Sequence, residues 1–248
     1  MQSGLYTSAS GMIASQHYLD LVSNNLANIN TPGFKRQKPF VRELDSALKE
    51  MNIKNEVNRA RNAAVKVAGD VIDMAPGVLK QTGNKLDLAL EGKGFFAVLT
   101  ENGLHFTRAG NFTLSQDNIL QTVNGYPVMN DKLTEISISG NQVSFENDGT
   151  VVVDDEVIDK IMVYDIPQEK LVREGENLFS TTEPEIEPKE AKVYKVLEGF
   201  LEMSNVNAID EMVRLIELTR AAQFYQKMIS ATMDTTTQKV INEVGVLR

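Results

Sequence analysis

The chain has 248 residues, 42% of them hydrophobic, which is enough for one or two domains with a buried core. Its formal net charge of -9 argues against binding to nucleic acid, which requires a basic surface. Cysteine is absent from the sequence, and this excludes disulfide bonds, thiolate metal sites and thiol nucleophiles. No run of about 18 apolar residues is present, so we expect no direct membrane insertion.

The first segment, residues 3–27, has a helical repeat of apolar residues. Four of them recur every seven residues, a spacing typical of a coiled-coil seam: Leu5, Met12, Leu19 and Leu26. From Met1 to Phe34 the one carboxylate is Asp20, and no lysine or arginine occurs, whereas a helix facing water normally carries charge pairs. We therefore expect this helix to contact other protein. The alternative is a weakly stable terminal helix that frays.

The last segment, residues 205–243, contains neither proline nor glycine and predicts one helix of nearly forty residues, about 57 Å long. It carries two apolar faces, the first formed by Ile209, Met212 and Ile216, the second by residues that include Leu215, Tyr225 and Ile229. A small chain cannot cover both faces by itself. We expect the N-terminal helix to cover part of this surface and neighbouring subunits to cover the rest. The alternative is a long amphipathic helix that lies across its own domain.

The middle of the chain reads as β structure. Pairs such as Asn102-Gly103, Asn124-Gly125 and Asp148-Gly149 predict hairpin turns between short runs of β-branched and aromatic residues. Among the strands we expect residues 136–138 and 161–164. The domain is predicted to begin at an apolar run with two glycines, comprising Leu86, Leu88, Gly92, Gly94, Phe95 and Phe96. Before it, residues 40–51 predict a short helix, and residues 52–66 an extended or irregular segment.

These patterns together predict an α+β fold. Its N- and C-terminal helices form a coiled-coil-like stalk, and a mainly-β domain is inserted between them. The predicted domains are an N-terminal assembly helix (residues 1–34), a connector (35–83), a β-rich outer domain (84–200) and a C-terminal assembly helix (201–248).

The sequence offers no positive argument for an enzyme, a metal or a cofactor. Its two histidines, His17 and His105, fall in different predicted domains, so they do not suggest a shared metal ion. Gly92-Lys93-Gly94 lacks the spacing of a phosphate-binding loop, and residues 154–156 lack the frame of a calcium loop. The alternative from another class is a secreted hydrolase that uses a pair of carboxylates in the β domain.

Three runs of sequence resemble one known family. Residues 23–36, SNNLANINTPGFKR, resemble the N-terminal signature of the flagellar axial proteins, which comprise rod, hook and hook-associated proteins. Residues 82–98, TGNKLDLALEGKGFFAV, with 106–112, FTRAGNF, are similar to the start of the β domain in rod and hook proteins. Residues 199–207, GFLEMSNVN, with 211–216 and 220–223, resemble the C-terminal helix of that family.

This resemblance implies a structural subunit of the flagellar basal-body rod. Such proteins polymerise through their terminal helices into a hollow helical drive shaft that transmits torque and lets exported subunits pass. The implied partners are further copies, other rod and hook proteins, ring proteins around the rod, and the flagellar type III export apparatus. The implied location is the periplasm-spanning rod. The N-terminus lacks a basic n-region and an apolar h-region, so we expect export without a cleaved signal peptide.

The resemblance also assigns an assembly motif to the turn after the first helix. Its members are Asn24, Asn25, Leu26, Ala27, Asn28, Thr31, Pro32, Gly33 and Phe34. The modest β domain favours a rod protein over a hook protein, although a hook or hook-associated subunit stays an alternative. The choice between a proximal and a distal rod subunit stays open.

Overall fold

The computed structural model describes residues 2–42, 66–140, 142–175, 177–181, 189–191 and 193–245. Two long helices, α1 (Gln2–Ala27) and α2 (Ala208–Gly245), lie at the two ends of the chain, with short strands between them. The predicted α+β class and the predicted order, with a helix at each end and a mainly-β middle, are therefore confirmed.

The chain divides into two compact units. The helical unit comprises the described parts of Met1–Ala27, Gln37–Asp73 and Asn207–Arg248. The β unit comprises the described parts of Asn28–Arg36 and Met74–Val206. The turn that follows α1 thus belongs to the β unit, although the chain returns to the helical unit directly after it.

In the helical unit, α1 packs against α2. The helices approach closely at Gly11, where an added Cβ would lie 2.6 Å from Cζ of Tyr225. The helical unit also contains two antiparallel strands that contact α1, β1 (Gln37–Arg42) and β2 (Lys66–Ile72). An ion pair of 2.6 Å joins Lys38 Nζ to Asp73 Oδ2 beside this strand pair.

The short helix predicted from residue 40 is wrong at its first residue, because Phe40 lies in β1. Two interactions explain the difference. The backbone of β1 pairs with β2, and Gln37 at the start of β1 forms hydrogen bonds with a side chain of α1. The Asn25 carboxamide donates to Gln37 O at 2.9 Å and accepts from Gln37 N at 2.9 Å. Such tertiary hydrogen bonds override local helical spacing. The rest of that predicted helix, residues 43–51, lies outside the described residues.

The largest sheet of the β unit has six antiparallel strands. Their order is β13 (Leu171–Arg173), β14 (Leu178–Thr181), β6 (Gly103–Thr107), β5 (Phe95–Thr100), β12 (Val163–Asp165) and β15 (Lys189–Glu190). A second sheet has the order β11 (Glu156–Lys160), β10 (Thr150–Val153) and β9 (Val143–Phe145). The predicted Asn-Gly turn connects β5 to β6, where Gly103 has φ +112°.

Three strand pairs complete the β unit: β4 (Leu88–Gly92) with β16 (Tyr194–Glu198), β3 (Leu79–Gln81) with β17 (Phe200–Glu202), and β7 (Phe112–Leu114) with β8 (Leu120–Thr122). The strands predicted at residues 136–138 and at Ile161 are only isolated bridges, and the strand near Ile161 begins at Val163. The apolar side chains of Ile136, Ile138 and Ile161 are buried nonetheless. The apolar pattern of these segments therefore indicates burial and not strand pairing.

The core of the β unit is formed by apolar side chains from several of these strands, among them Leu88, Phe96, Phe112, Leu120, Val151 and Val196. The rings of Phe96 and Phe112 meet edge to face with their centroids 5.2 Å apart. In the described part of the chain no helix is both long enough and apolar enough to cross a membrane.

We expect Gly11→Leu to destabilise the helical unit by about 1–3 kcal/mol, because the new side chain enters space that Tyr225 occupies. The control is Gln16→Leu, which places the same side chain on an exposed part of α1 and should change stability by about 0.5 kcal/mol or less. Urea unfolding followed by circular dichroism measures both changes. Adding Tyr225→Ala to Gly11→Leu should recover part of the loss, and no recovery would contradict this account of the close approach.

Candidate assembly junction

The terminal-segment junction is the place in the β unit where residues 28–36 meet the segment around β17. Its members are Gly33, Phe34, Lys35, Arg108, Arg173, Glu202 and Asn205. The two chain segments are linked directly, since Gly33 N donates to Glu202 O at 2.7 Å. On its other side β17 pairs with β3, so Glu202 lies between two backbone neighbours.

Gly33 occupies a position that accepts no other residue without strain. Its φ of +70° is in the left-handed region, which side chains disfavour. A Cβ added there would lie 2.2 Å from Ala109 N and 2.4 Å from Arg108 C. These neighbours are backbone atoms and cannot rotate away. The Thr-Pro-Gly turn of the motif is therefore required by close backbone contact as well as by its own dihedral angle.

Phe34 is buried, with 1% of its surface exposed, and a cation covers its ring. Cζ of Arg173 lies 4.0 Å from the ring centroid, a distance typical of a cation–π contact. The same guanidinium donates to Lys35 O at 3.3 Å and to Asn177 Oδ1 at 3.1 Å. Burial lowers the pKa of Arg173 to about 10, which leaves the side chain charged at neutral pH. Arg173 thus attaches the motif to the β13–β14 hairpin.

A buried cluster of charges lies next to this aromatic contact. The Glu202 carboxylate accepts from Lys35 Nζ at 2.6 Å, from Arg108 Nη1 at 3.3 Å and from Gly77 N at 2.9 Å. Lys35 is 1% exposed, Glu202 2% and Arg108 6%. Charged side chains are almost never buried this deeply unless they are paired. In this cluster Glu202 bonds to Lys35, which is 167 positions away in sequence, and to Arg108, which is 94 positions away.

Asn205 connects two further segments of the β unit. Its Oδ1 accepts from Arg36 N at 2.8 Å, and its Nδ2 donates to Ala75 O at 2.9 Å. Lys35 Nζ donates to the same carbonyl at 3.0 Å. Arg36, Ala75 and Asn205 stand one or two positions from residues where the chain passes from one unit to the other. Within the β unit, these hydrogen bonds therefore hold together three segments that stand next to the unit boundaries in the sequence.

The structure divides the predicted assembly motif between the two units. Gly33 and Phe34 are buried in the β unit, with Pro32 half-buried beside them, and Thr31 donates to Asn28 Oδ1 at 3.2 Å. Asn25 is buried in the helical unit, where Leu26 is half-buried and Asn24 and Ala27 are exposed. Lys35, directly after the motif, takes part in the charged cluster.

The predicted helix seams differ in burial. Leu5, Met12, Leu19 and Leu26 of α1 are half-buried, and so are Leu215, Tyr225 and Ile229 of α2. The other seam of α2 is open, with Ile209 73% exposed and Met212 and Ile216 each 51% exposed. Further apolar residues on the same helix are exposed as well: Val213, Phe224, Met228 and Met233.

The predicted start of the β domain spans β4 and the first residues of β5. Leu88, Phe95 and Phe96 are buried there, and Leu86 is half-buried. Gly92 and Gly94 have φ of +106° and +121° on either side of Lys93. A Cβ on Gly94 would lie 2.5 Å from Cγ1 of Val163, so this glycine lets β12 approach.

Sequence reasoning assigned no role to the charged members of the junction. Lys35, Arg108 and Glu202 all stand inside the runs that resemble the flagellar family. Arg108 and Glu202 are each an isolated charge among apolar or uncharged neighbours, whereas Lys35 stands directly before Arg36. That isolation was the available signal. The pairing of Glu202 with Lys35 and Arg108 could not be predicted, because these residues are far apart in sequence. Among the described residues no group of three or more histidine and acidic side chains could hold a metal ion.

Gly33→Ala should lower the free energy of unfolding by about 1–2 kcal/mol through its dihedral angle and by about 1–3 kcal/mol more through displaced backbone. The matched control is Gly83→Ala. Gly83 has a similar φ of +75°, but no heavy atom lies within 4 Å of its would-be Cβ. Urea unfolding of both variants measures the difference. Equal losses would show that the contact with residues 108 and 109 contributes nothing.

Glu202→Gln should lower the free energy of unfolding by about 3–5 kcal/mol, because Lys35 and Arg108 lose the counter-charge they share. The control variant, Glu91→Gln, removes an exposed carboxylate and should change stability by about 0.5 kcal/mol or less. Both are measured by chemical unfolding. A loss below about 1 kcal/mol for Glu202→Gln would contradict the importance given to the cluster.

Three family models match the chain in order. Residues 5–35 match the family described as "Flagella basal body rod protein". Residues 89–153 match "Flagellar hook protein FlgE/F/G D1 domain", and residues 197–243 match "Flagellar basal body rod FlgEFG protein C-terminal". All three sequence runs that suggested the resemblance overlap these matches, and so do Lys35, Arg108 and Glu202.

Individual relatives extend over nearly the whole chain. The flagellar basal-body rod protein FlgF of Caulobacter vibrioides is 31% identical over 94% of this chain and 95% of its own length. FlgG of Bacillus subtilis is 31% identical over 98% of this chain and 99% of its own length. FlgF of Rhizobium meliloti is 30% identical over 89% of each chain. The chain therefore belongs to the flagellar basal-body rod protein family.

Proposed function

We propose that this protein is a structural subunit of the flagellar rod that polymerises through its terminal helices and has no catalytic role. In the polymer, subunits form a hollow helical shaft that transmits torque and lets exported proteins pass. The observation that carries the proposal is the exposed apolar surface of α2. A soluble chain that keeps so many apolar side chains open along one helix carries an interaction surface.

The dimensions of α2 support the same proposal. Its 38 residues span about 57 Å, and apolar side chains are exposed from Ile209 near its start to Met233 well beyond its middle. A surface extended over that length suits contacts with more than one neighbour. The face that includes Tyr225 is half-buried, and Tyr225 contacts Gly11 of α1, which leaves the open seam for other subunits.

The composition of α1 fits a helix enclosed by protein. Its first turn has no acidic residue and its last turn no basic residue, so it gains nothing from charges at its ends. Its polar residues are mostly Ser, Asn and Gln, which form hydrogen bonds with neighbours without the desolvation penalty of a full charge. In the proposed polymer this face lies against adjacent subunits or lines the channel.

In this proposal the terminal-segment junction has a mechanical role. A shaft that transmits torque requires each subunit to resist relative movement of its parts. Lys35, Asn205 and Glu202 hold neighbouring chain segments through short hydrogen bonds and buried charges. The junction keeps those segments in fixed register within the β unit. The assembly motif, of which Gly33 and Phe34 are part, thus stabilises the subunit rather than binding a neighbour directly.

The proposed partners follow from this role. They are further copies of the chain, other rod and hook proteins, and rings around the rod. The subunit is exported by the flagellar type III apparatus and stays in the rod that spans the periplasm. Relatives that are named flagellar basal-body rod proteins support a location in the rod.

Ile216→Asp should abolish motility, because an unpaired carboxylate would be buried at the subunit contact. In the isolated protein Ile216 is half exposed, so the variant should keep its fold and its unfolding midpoint within a few °C. The measurement is swimming of the source bacterium with its own copy deleted and the variant supplied. Met233→Asp, at another exposed position of α2, tests the same surface independently.

The control for both variants is Glu217→Gln, which changes one charge at an exposed position of the same helix and should support normal swimming. Variants that are folded, exported and fully motile would contradict polymerisation through α2. Isolated basal bodies of the aspartate variants should lack the shaft beyond the position of this subunit.

A further inference from the structure

A cavity of about 440 Å³ opens beside the charged cluster of the β unit. Lys35, Arg108 and Glu202 form part of its lining, and Lys93 and Asp165 lie on its exposed side. Protein interiors hold few voids larger than a water molecule, which occupies about 30 Å³ in the liquid. A space of about 440 Å³ beside the buried charges falls within the volume range of small-molecule sites, about 300–1,000 Å³.

The charges around the cavity do not balance. Its lining includes three cationic side chains, Lys35, Lys93 and Arg108, and two carboxylates, Asp165 and Glu202. The excess of one positive charge stands in a chain whose formal net charge is -9. An anion entering this cavity would therefore find favourable charge in a protein that otherwise repels it.

Arg108 is the least satisfied of these cations. Nη1 donates to Leu90 O at 3.1 Å and to Glu202 Oε2 at 3.3 Å, and Nη2 donates to Gly92 O at 2.6 Å. Its Nε is buried and has no hydrogen-bond partner among the described residues. Burial lowers the pKa of Arg108 below its ordinary value, although Glu202 and Asp165 oppose that shift. Because Nε is fully buried, a ligand in the cavity is attracted by the charge of Arg108 and does not bond to this donor.

The remaining walls are largely apolar. Met74, Pro76, Phe95, Ile166 and Pro167 line the cavity around the charged groups. A hydrated inorganic anion gains nothing from such walls, whereas an aliphatic stem loses contact with water there. The combination of a cationic floor and apolar sides is the usual composition of a site for an organic acid.

We propose that this cavity binds a carboxylate carried on a short apolar stem, with Lys93 in contact with the carboxylate and the buried charge of Arg108 attracting it. Two sources provide that chemistry: a free organic acid, or a glutamate side chain among apolar residues of another protein. None of the lining residues belongs to α2, so the proposed ligand site shares no residue with the open seam.

The test titrates the full-length ¹⁵N-labelled protein with sodium hexanoate at constant ionic strength. We expect saturable shifts of the backbone amides of Lys93 and Gly94, which lie in the lining. Hexanol, which lacks the charge, and inorganic phosphate, which lacks the stem, should each bind at least about tenfold more weakly, the factor that corresponds to 1.4 kcal/mol. Phosphate binding as tightly as hexanoate would overturn the proposed ligand class.

Lys93→Gln should weaken hexanoate binding by up to about fivefold, as expected for an exposed charge contact. The matched control, Lys85→Gln, removes an exposed charge outside the cavity and should leave the affinity unchanged. Equal affinities for the two variants would overturn the assignment. Arg108→Gln removes the buried charge and should also weaken binding, while its amide spectrum reports whether the fold is kept.

A short peptide with one glutamate between leucines, together with its glutamine counterpart, distinguishes the two sources. Binding of the glutamate peptide at lower concentration than hexanoate, and loss of that binding with glutamine, would identify a protein-borne carboxylate. Binding of hexanoate alone would identify a free acid. Absence of saturable shifts with either probe at concentrations far above about 1 mM, or identical shifts with sodium chloride, would overturn the proposal.

Discussion

The architecture of the β unit depends on one buried carboxylate. Glu202 accepts hydrogen bonds from Lys35, Arg108 and Gly77, which come from three segments far apart in sequence. A buried ion pair is only weak evidence for stability, since desolvation opposes it, but removing one partner is strongly unfavourable. The consequence is specificity: a strand shifted by one residue would leave two cations buried without their shared counter-charge. The positions of Gly33 and Phe34 follow from this arrangement.

Regular features of the subunit could be predicted from sequence because their signals are local. The seven-residue apolar repeat gave α1, the long segment without proline gave α2, and Asn-Gly pairs gave hairpin turns. Phe40 shows the opposite case, since its helical spacing was overridden by pairing with β2 and by the Asn25 side chain. The junction itself could not be predicted, because Lys35 meets Glu202 across 167 positions of sequence.

The two units divide the proposed work of the protein. The β unit has a buried apolar core and joins its crossing segments through Lys35, Asn205 and Glu202. The helical unit leaves one seam of α2 open, with Ile209 its most exposed member. In the proposed polymer, the exposed apolar side chains of α2 form the contacts between subunits, and the buried core of the β unit keeps each subunit folded. Membership of the rod family agrees with that division.

The most direct test of a rod subunit is immunogold electron microscopy of detergent-extracted basal bodies with an antibody raised against the β unit. The account predicts gold label on the shaft between the membrane rings, and the height of the label would separate a proximal from a distal position. Label beyond the outer ring would instead assign the chain to the hook, and basal bodies without any label would contradict the proposed function.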